Sequence, residues 1–193
     1  MAIMPGHPHE GDRGLKVLSG GRFVRPRLLV VDVDDDALLA SFSTGTAGGA
    51  GVPELSPDEA RALSHAAETG LEIAAVTAFR PGDAERAFEA LAKGVTVLAD
   101  VPLDVTCSAA ERGRLRSEYV SSLCHERGIR LRDVAVIAAR PEDRSMMFEA
   151  GVAFALETAG YDTCSAADAV FPSRYRGGLA AAVDAVALLM HPA

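Results

Sequence analysis

The chain has 193 residues, 49% apolar and 24% charged, which suits one globular domain and excludes a disordered or membrane-embedded class. With 19 basic against 27 acidic side chains the formal charge is −8, a field that repels nucleic acid and anionic lipid, so neither is an expected partner. Apolar runs stop short of the ~20 residues of a membrane span and the N-terminus lacks a signal peptide's apolar centre, so the expected location is the cytoplasm.

Residues 1–26 are rich in Gly, Pro, His and charge without a sustained period, and read as a flexible N-terminal arm on which His7 and His9 are incidental. The expected domain covers 27–193. It opens with Leu28-Leu29-Val30-Val31, a continuous apolar run of the kind buried on both faces of a parallel sheet. Between this strand and the first helix, Ser41-Phe42-Ser43 and the glycines 45, 48, 49 and 51 suggest a short β-hairpin; they match neither G-x-G-x-x-G nor a lysine-bearing phosphate loop.

Ser56-Pro57-Asp58-Glu59 is a capping box with proline at the first helical position, opening a helix that stops at Gly70. Strands follow at Leu71 to Val76 and Val95 to Leu98, with a helix from Pro81 to Lys93 between them. A second capping box, Ser108 with Glu111, opens a helix to Gly128 whose first turns Gly113 should weaken. Further strands at Val134 to Ala138, Val152 to Leu156 and Ala169 to Phe171 precede a closing helix, Gly178 to Met190. The alternation predicts an α/β fold, a mostly parallel Rossmann-like sheet flanked by helices, with right-handed crossovers.

Cys107, Cys124 and Cys164 form no C-x-x-C pair, which suits a reducing compartment and buried small side chains. Cys124 adjoins His125, but neighbours on a helix point in different directions, so no thiolate–imidazole pair is expected. His65, His125 and His191 read as surface or half-buried residues rather than bases.

The chemistry is expected where the first strand ends in Asp32, Asp34, Asp35 and Asp36, because open α/β sheets place ligands at strand carboxyl ends. Four crowded carboxylates call for a cation. A calcium loop is excluded, since its glycine would fall on Ala37 and its closing glutamate on Ser43. A phosphoryl-transfer site remains.

An apolar strand ending D-x-D, here Leu29-Val30-Val31-Asp32-Val33-Asp34, resembles the first motif of the haloacid dehalogenase superfamily. Over residues 27 to 190 the chain is similar to its small sugar-acid phosphatases without a large cap, which act on 3-deoxy-D-manno-octulosonate 8-phosphate, and to related domains of sialic acid activating enzymes. In that family a hairpin follows the first strand and a later strand ends in threonine, a place taken here by Thr77 within Val76-Thr77-Ala78-Phe79-Arg80. Arg116 stands near the family's lysine. Asp143 coincides with a further aspartate, and Arg174-Tyr175-Arg176-Gly177-Gly178 resembles its Gly-Gly-Arg-Gly region.

The sequence also departs from the pattern. The family's last motif, a strand ending Gly-Asp-Asp, is replaced by Ala138-Ala139-Arg140; the glycine after D-x-D is Asp35, a later aspartate is Leu39, and Pro57-Asp58-Glu59 replaces an Arg-Asp-Gly segment. Asp58 survives there, where helix capping explains it equally well.

The resemblance implies Asp32 as nucleophile and Asp34 as acid/base, with Thr77 and Arg116 binding the phosphate; Arg140, which departs from the family motif, is a further candidate for anion binding. It implies magnesium as cofactor, on Asp32, Asp34 and Asp143. The aspartate lost at position 139 weakens that grip, and a guanidinium at 140 would pair with Asp32 or Asp34 and compete with the metal. The expectation is therefore a pseudo-phosphatase with weak or no phosphomonoesterase activity that binds an anionic sugar-type ligand or a protein partner. The alternatives are an active magnesium-dependent phosphatase on a small phosphorylated sugar acid, Asp35, Asp36 or Asp143 having rebuilt the metal site, and a metal-free acid/base enzyme using the same pocket. A tidied-up remnant, kept for its surface, is also open. The resemblance implies a homo-oligomer, a tetramer in the family.

Overall fold

The computed structural model describes residues 25–34, 55–77, 95–99 and 108–190. The arm at 1–24, Asp35, Asp36, the hairpin segment, the helix expected at 81–93, Cys107 and His191 lie outside the described residues.

Among the described residues six strands form one all-parallel sheet in the order β3-β2-β1-β4-β5-β6. They are β1 (Leu28–Asp32), β2 (Glu72–Thr77), β3 (Val95–Ala99), β4 (Val134–Ala138), β5 (Val152–Leu156) and β6 (Ala169–Phe171). The helices are α1 (Pro57–Glu68), α2 (Ala109–Arg127), α3 (Arg144–Met147), α4 (Tyr161–Ala166) and α5 (Gly178–Leu188). This is the α/β architecture read from the sequence, with β2 and β3 each ending one residue later than expected and α5 two residues earlier.

The sheet is covered on both faces, which is why its strands carry no polar alternation. Odd-numbered Leu29, Val31, Val33, Ala135 and Ile137, with even-numbered Phe154 of β5, join Ala62 and Leu63 of α1 and Leu179, Val183 and Val186 of α5 in one core. Even-numbered Leu28, Val30, Ala74, Val134, Val136 and Ala138 join Val120 and Leu123 of α2 and Met146 and Met147 in the other. With successive side chains alternating faces, parity within each strand decides which core a residue enters.

Local chemistry sets the helix ends. Ser56 accepts from the Glu59 amide and Glu59 accepts from the Ser56 amide, closing the first capping box; Ser108 and Glu111 close the second, and Gly128 ends α2 in the left-handed conformation at φ 61°. Gly178 opens α5 where a Cβ would fall 1.8 Å from the Pro172 carbonyl, so no other residue fits there. Among the described residues, no helix is long and apolar enough to cross a membrane.

Candidate functional site

β1 and β4 are adjacent and in parallel register, Val31 facing Ile137, so their carboxyl ends emerge side by side. Asp32 and Asp34 continue the even-numbered face of β1, and Arg140 continues that of β4. All three therefore point toward α2. There Gly113, Arg116, Val120, Leu123 and Cys124 form one buried stripe, placing the Arg116 guanidinium over the strand ends. Asp32, Asp34, Thr77, Arg116, Arg140 and Asp143 are all buried.

The side chains form one interlocked cluster. Arg140 Nε donates to Asp32 Oδ2 at 2.7 Å, and its Nη2 lies 3.0 Å from Asp34 Oδ2. Arg116 Nη1 donates to the same Asp32 oxygen at 2.9 Å and also to Asp143 Oδ1. Asp32 Oδ1 accepts from the Asp34 amide at 2.9 Å, and Thr77 Oγ1 donates to Asp34 Oδ1 at 2.6 Å. Asp143 Oδ2 accepts from the backbone amides of Ala139 and Arg140, at 2.9 and 3.0 Å, which closes the turn Pro141–Asp143 and aims Arg140 back over the sheet.

These contacts have an electrostatic consequence. Burial, together with the neighbouring Asp32 carboxylate, pushes Asp143 well above the ordinary carboxylate range, outweighing the opposite pull of Arg116 and of the Ala139 amide. A proton on Asp143 reduces the cluster to two carboxylates facing two guanidiniums.

The structure thus brings together Asp32, Asp34, Thr77, Arg116, Arg140 and Asp143, the described site residues named from the sequence, with two corrections. Ala139 does not offer its methyl group to the cluster; odd-numbered, it packs into the core shared with α1 and α5, and only its amide reaches the site. Gly113 is not merely a weak point of α2: a Cβ there would stand 2.7 Å from the Glu142 carbonyl, so its bareness lets the helix approach the turn that carries Arg140. Asp58 is exposed, with Arg61 Nε 3.8 Å away, and serves the start of α1.

Sequence reasoning missed a second ion pair beside the cluster. Arg174 donates from Nε and Nη2 to the two oxygens of Glu59, at 2.7 and 2.9 Å, and from Nη1 to the Val33 carbonyl at 2.5 Å. It ties the start of α1 and the loop before α5 to the peptide between Asp32 and Asp34. Glu59 carried only a capping signal and Arg174 only a place in the segment that resembles the family's Gly-Gly-Arg-Gly region; no spacing rule links residues 115 apart.

As for a metal, its place is contested by Arg140. Magnesium takes six oxygens at about 2.0–2.1 Å in near-octahedral order. Asp32 and Asp34 instead flank a planar guanidinium at hydrogen-bonding distance, and among the described residues no three His, Cys, Asp or Glu side chains converge as a metal set would. This donor arrangement does not fit the ion.

The sheet order, the site at the β1 and β4 tips and the helices on both faces define the haloacid dehalogenase fold. No family model and no curated protein sequence matches the chain. Solved structures do. A structure assigned as a haloacid dehalogenase family hydrolase from Streptomyces avermitilis aligns with TM-score 0.60 and 16% identity over 86% of this chain and 84% of its own.

Within that fold the chain is similar to the 3-deoxy-D-manno-octulosonate 8-phosphate phosphatases. The Moraxella catarrhalis enzyme, solved with magnesium, phosphate and KDO, aligns with TM-score 0.64 and 13% identity over 86% of this chain and 88% of its own. The cobalt-bound Haemophilus influenzae enzyme gives TM-score 0.63 and 13% identity over 87% and 91%. The likeness is one of fold.

Proposed function

We propose that this protein is a haloacid dehalogenase-like protein of the sugar-acid phosphatase type in which hydrolysis of phosphomonoesters is weak or lost, and that it serves by binding an anionic sugar-type ligand or a protein partner. The observation that carries this reading is the Arg140 Nε hydrogen bond to Asp32 Oδ2 at 2.7 Å. An attacking carboxylate needs a free lone pair and a metal to draw phosphoryl oxygens toward it. Here the Asp32 oxygen that meets Arg140 also accepts from Arg116, so both guanidiniums lower its nucleophilicity. A guanidinium balances charge but does not bridge nucleophile and phosphoryl group as a metal does.

A second reading, an active magnesium-dependent phosphatase with Asp32 as nucleophile and Asp34 as acid/base, draws support from the gathering of Asp32, Asp34, Thr77 and Arg116 in one buried cluster. The same cluster would serve metal-free acid/base chemistry, with Arg140 gripping a carboxylate or phosphate. A cytoplasmic location and assembly into homo-oligomers belong to the proposal.

The test is phosphate release from a panel of phosphorylated sugar acids, 3-deoxy-D-manno-octulosonate 8-phosphate among them, with and without magnesium. The expected result is turnover near background, unchanged by Asp32→Asn. Magnesium-dependent turnover at ordinary enzyme rates, about 1 per second or faster and abolished by Asp32→Asn, would establish the second reading instead.

A further inference from the structure

We infer that Arg140 is this protein's built-in counter-cation, and that its side chain is what keeps a divalent ion out of the Asp32–Asp34–Asp143 cluster. The inference rests on the reading of a non-hydrolytic site and deepens it by naming the residue responsible.

Three buried carboxyl groups meet two buried guanidiniums; Arg140 meets Asp32 at the end of β1 and Asp34 two residues beyond it, with Glu142 Oε1 3.8 Å from its Nη1, while Arg116 spans from Asp32 to Asp143. Removing Arg140 leaves Arg116 alone against the Asp32 and Asp34 carboxylates, an excess of negative charge that a cation can meet. Arg116 also reaches toward Asp34, its Nη2 3.9 Å from Oδ2, but it is shared with Asp143, whereas Arg140 Nε and Nη2 stand 2.7 and 3.0 Å from Asp32 Oδ2 and Asp34 Oδ2.

The fit of Arg140 is itself incomplete. Its Nη2 is buried and 3.0 Å from Asp34 Oδ2, yet among the described residues no acceptor lies in hydrogen-bonding alignment with it. A buried donor left in this state is costly, and arginine's rigid fork makes the mismatch harder to relieve. A spherical ion has no donor directions to satisfy, so the same oxygens can turn toward it without that loss. The cluster therefore holds charge in the right amount for Arg140 and geometry better suited to something else.

The experiment uses the full chain, with manganese as probe ion, by titration calorimetry and by thermal melting with manganese or with chelator. Wild-type protein should show no saturable heat and the same melting temperature under both conditions. Arg140→Asn should bind one manganese ion at least 100-fold more tightly and melt several degrees higher with it, and a further Asp32→Asn should erase both effects. Should Arg140→Asn be unfolded without the ion, refolding on adding millimolar manganese supports the inference, and failure to refold overturns it.

Arg140→Gln keeps a donor within reach of Asp32 and is the second variant. A folded Arg140→Gln or Arg140→Asn protein that ignores manganese overturns the inference, as does wild-type protein that binds the ion as tightly as the variants. The functional reading fails separately: phosphate release by wild type with chelator present would sink it while leaving the role of Arg140 intact.

Discussion

Gly113 of α2 rests against the Glu142 carbonyl so closely that a Cβ at 113 would stand 2.7 Å from that oxygen and 3.0 Å from Ser145 Oγ. Arg116 follows one helical turn later on the same buried stripe, so the approach that Gly113 permits fixes how far the guanidinium reaches. Gly113→Ala would gain about 1 kcal/mol of helix propensity and incur about 1–3 kcal/mol of overpacking against backbone that has little room to move. The expected net is a loss of up to about 2 kcal/mol, read as a lower urea midpoint with unchanged slope. A raised midpoint would mean the contact relaxes freely.

The Glu59–Arg174 pair should matter far more than the visible surface pairs. Glu59 closes the α1 capping box and meets Arg174 through both oxygens, with both side chains largely buried. Glu59→Ala strands a guanidinium and removes a cap, for an expected cost of about 3–5 kcal/mol. The control is Arg61→Ala: Arg61 and Asp58 are 3.8 Å apart at 61% and 82% side-chain exposure, where pairing contributes under about 0.5 kcal/mol. Denaturant unfolding of the two variants side by side checks the contrast; equal costs would refute the buried role of Glu59.

The fold was legible because each strand is a short apolar run and each long helix announces its start, Ser56 with Glu59 and Ser108 with Glu111. Parity was legible too: counting even positions from Val134 already sends Arg140, not Ala139, to the α2 face. What the sequence withholds is tertiary. Gly113 looks like a helix defect until Glu142 is seen beside it, and Glu59 looks like a cap until Arg174 arrives from the far end of the chain. Asp143 is placed at the site by the family resemblance alone, because nothing local signals that the Pro141–Asp143 turn folds it inward onto Arg116. Burial of a charge is decided by partners, and partners distant in sequence leave no periodic trace.

The raised Asp143 sets a direction for the protein's pH dependence. Its proton is held because burial and Asp32 outweigh Arg116, so the folded chain keeps a proton that the unfolded chain gives up near the ordinary value of about 3.9. Between that value and the higher folded value the native state binds more protons, and stability falls as pH rises through the window; below it both states are protonated and the group contributes no slope. One such group accounts for at most about 1.4 kcal/mol per pH unit. Asp143→Asn removes the titration while leaving a carbonyl oxygen for the Ala139 and Arg140 amides. Relative to wild type, the variant should therefore gain stability as pH rises from about 4 toward 7, in denaturant titrations at matched ionic strength. Should the wild type pull ahead instead, Arg116 holds Asp143 ionised and the charge balance of the cluster is the reverse of that described.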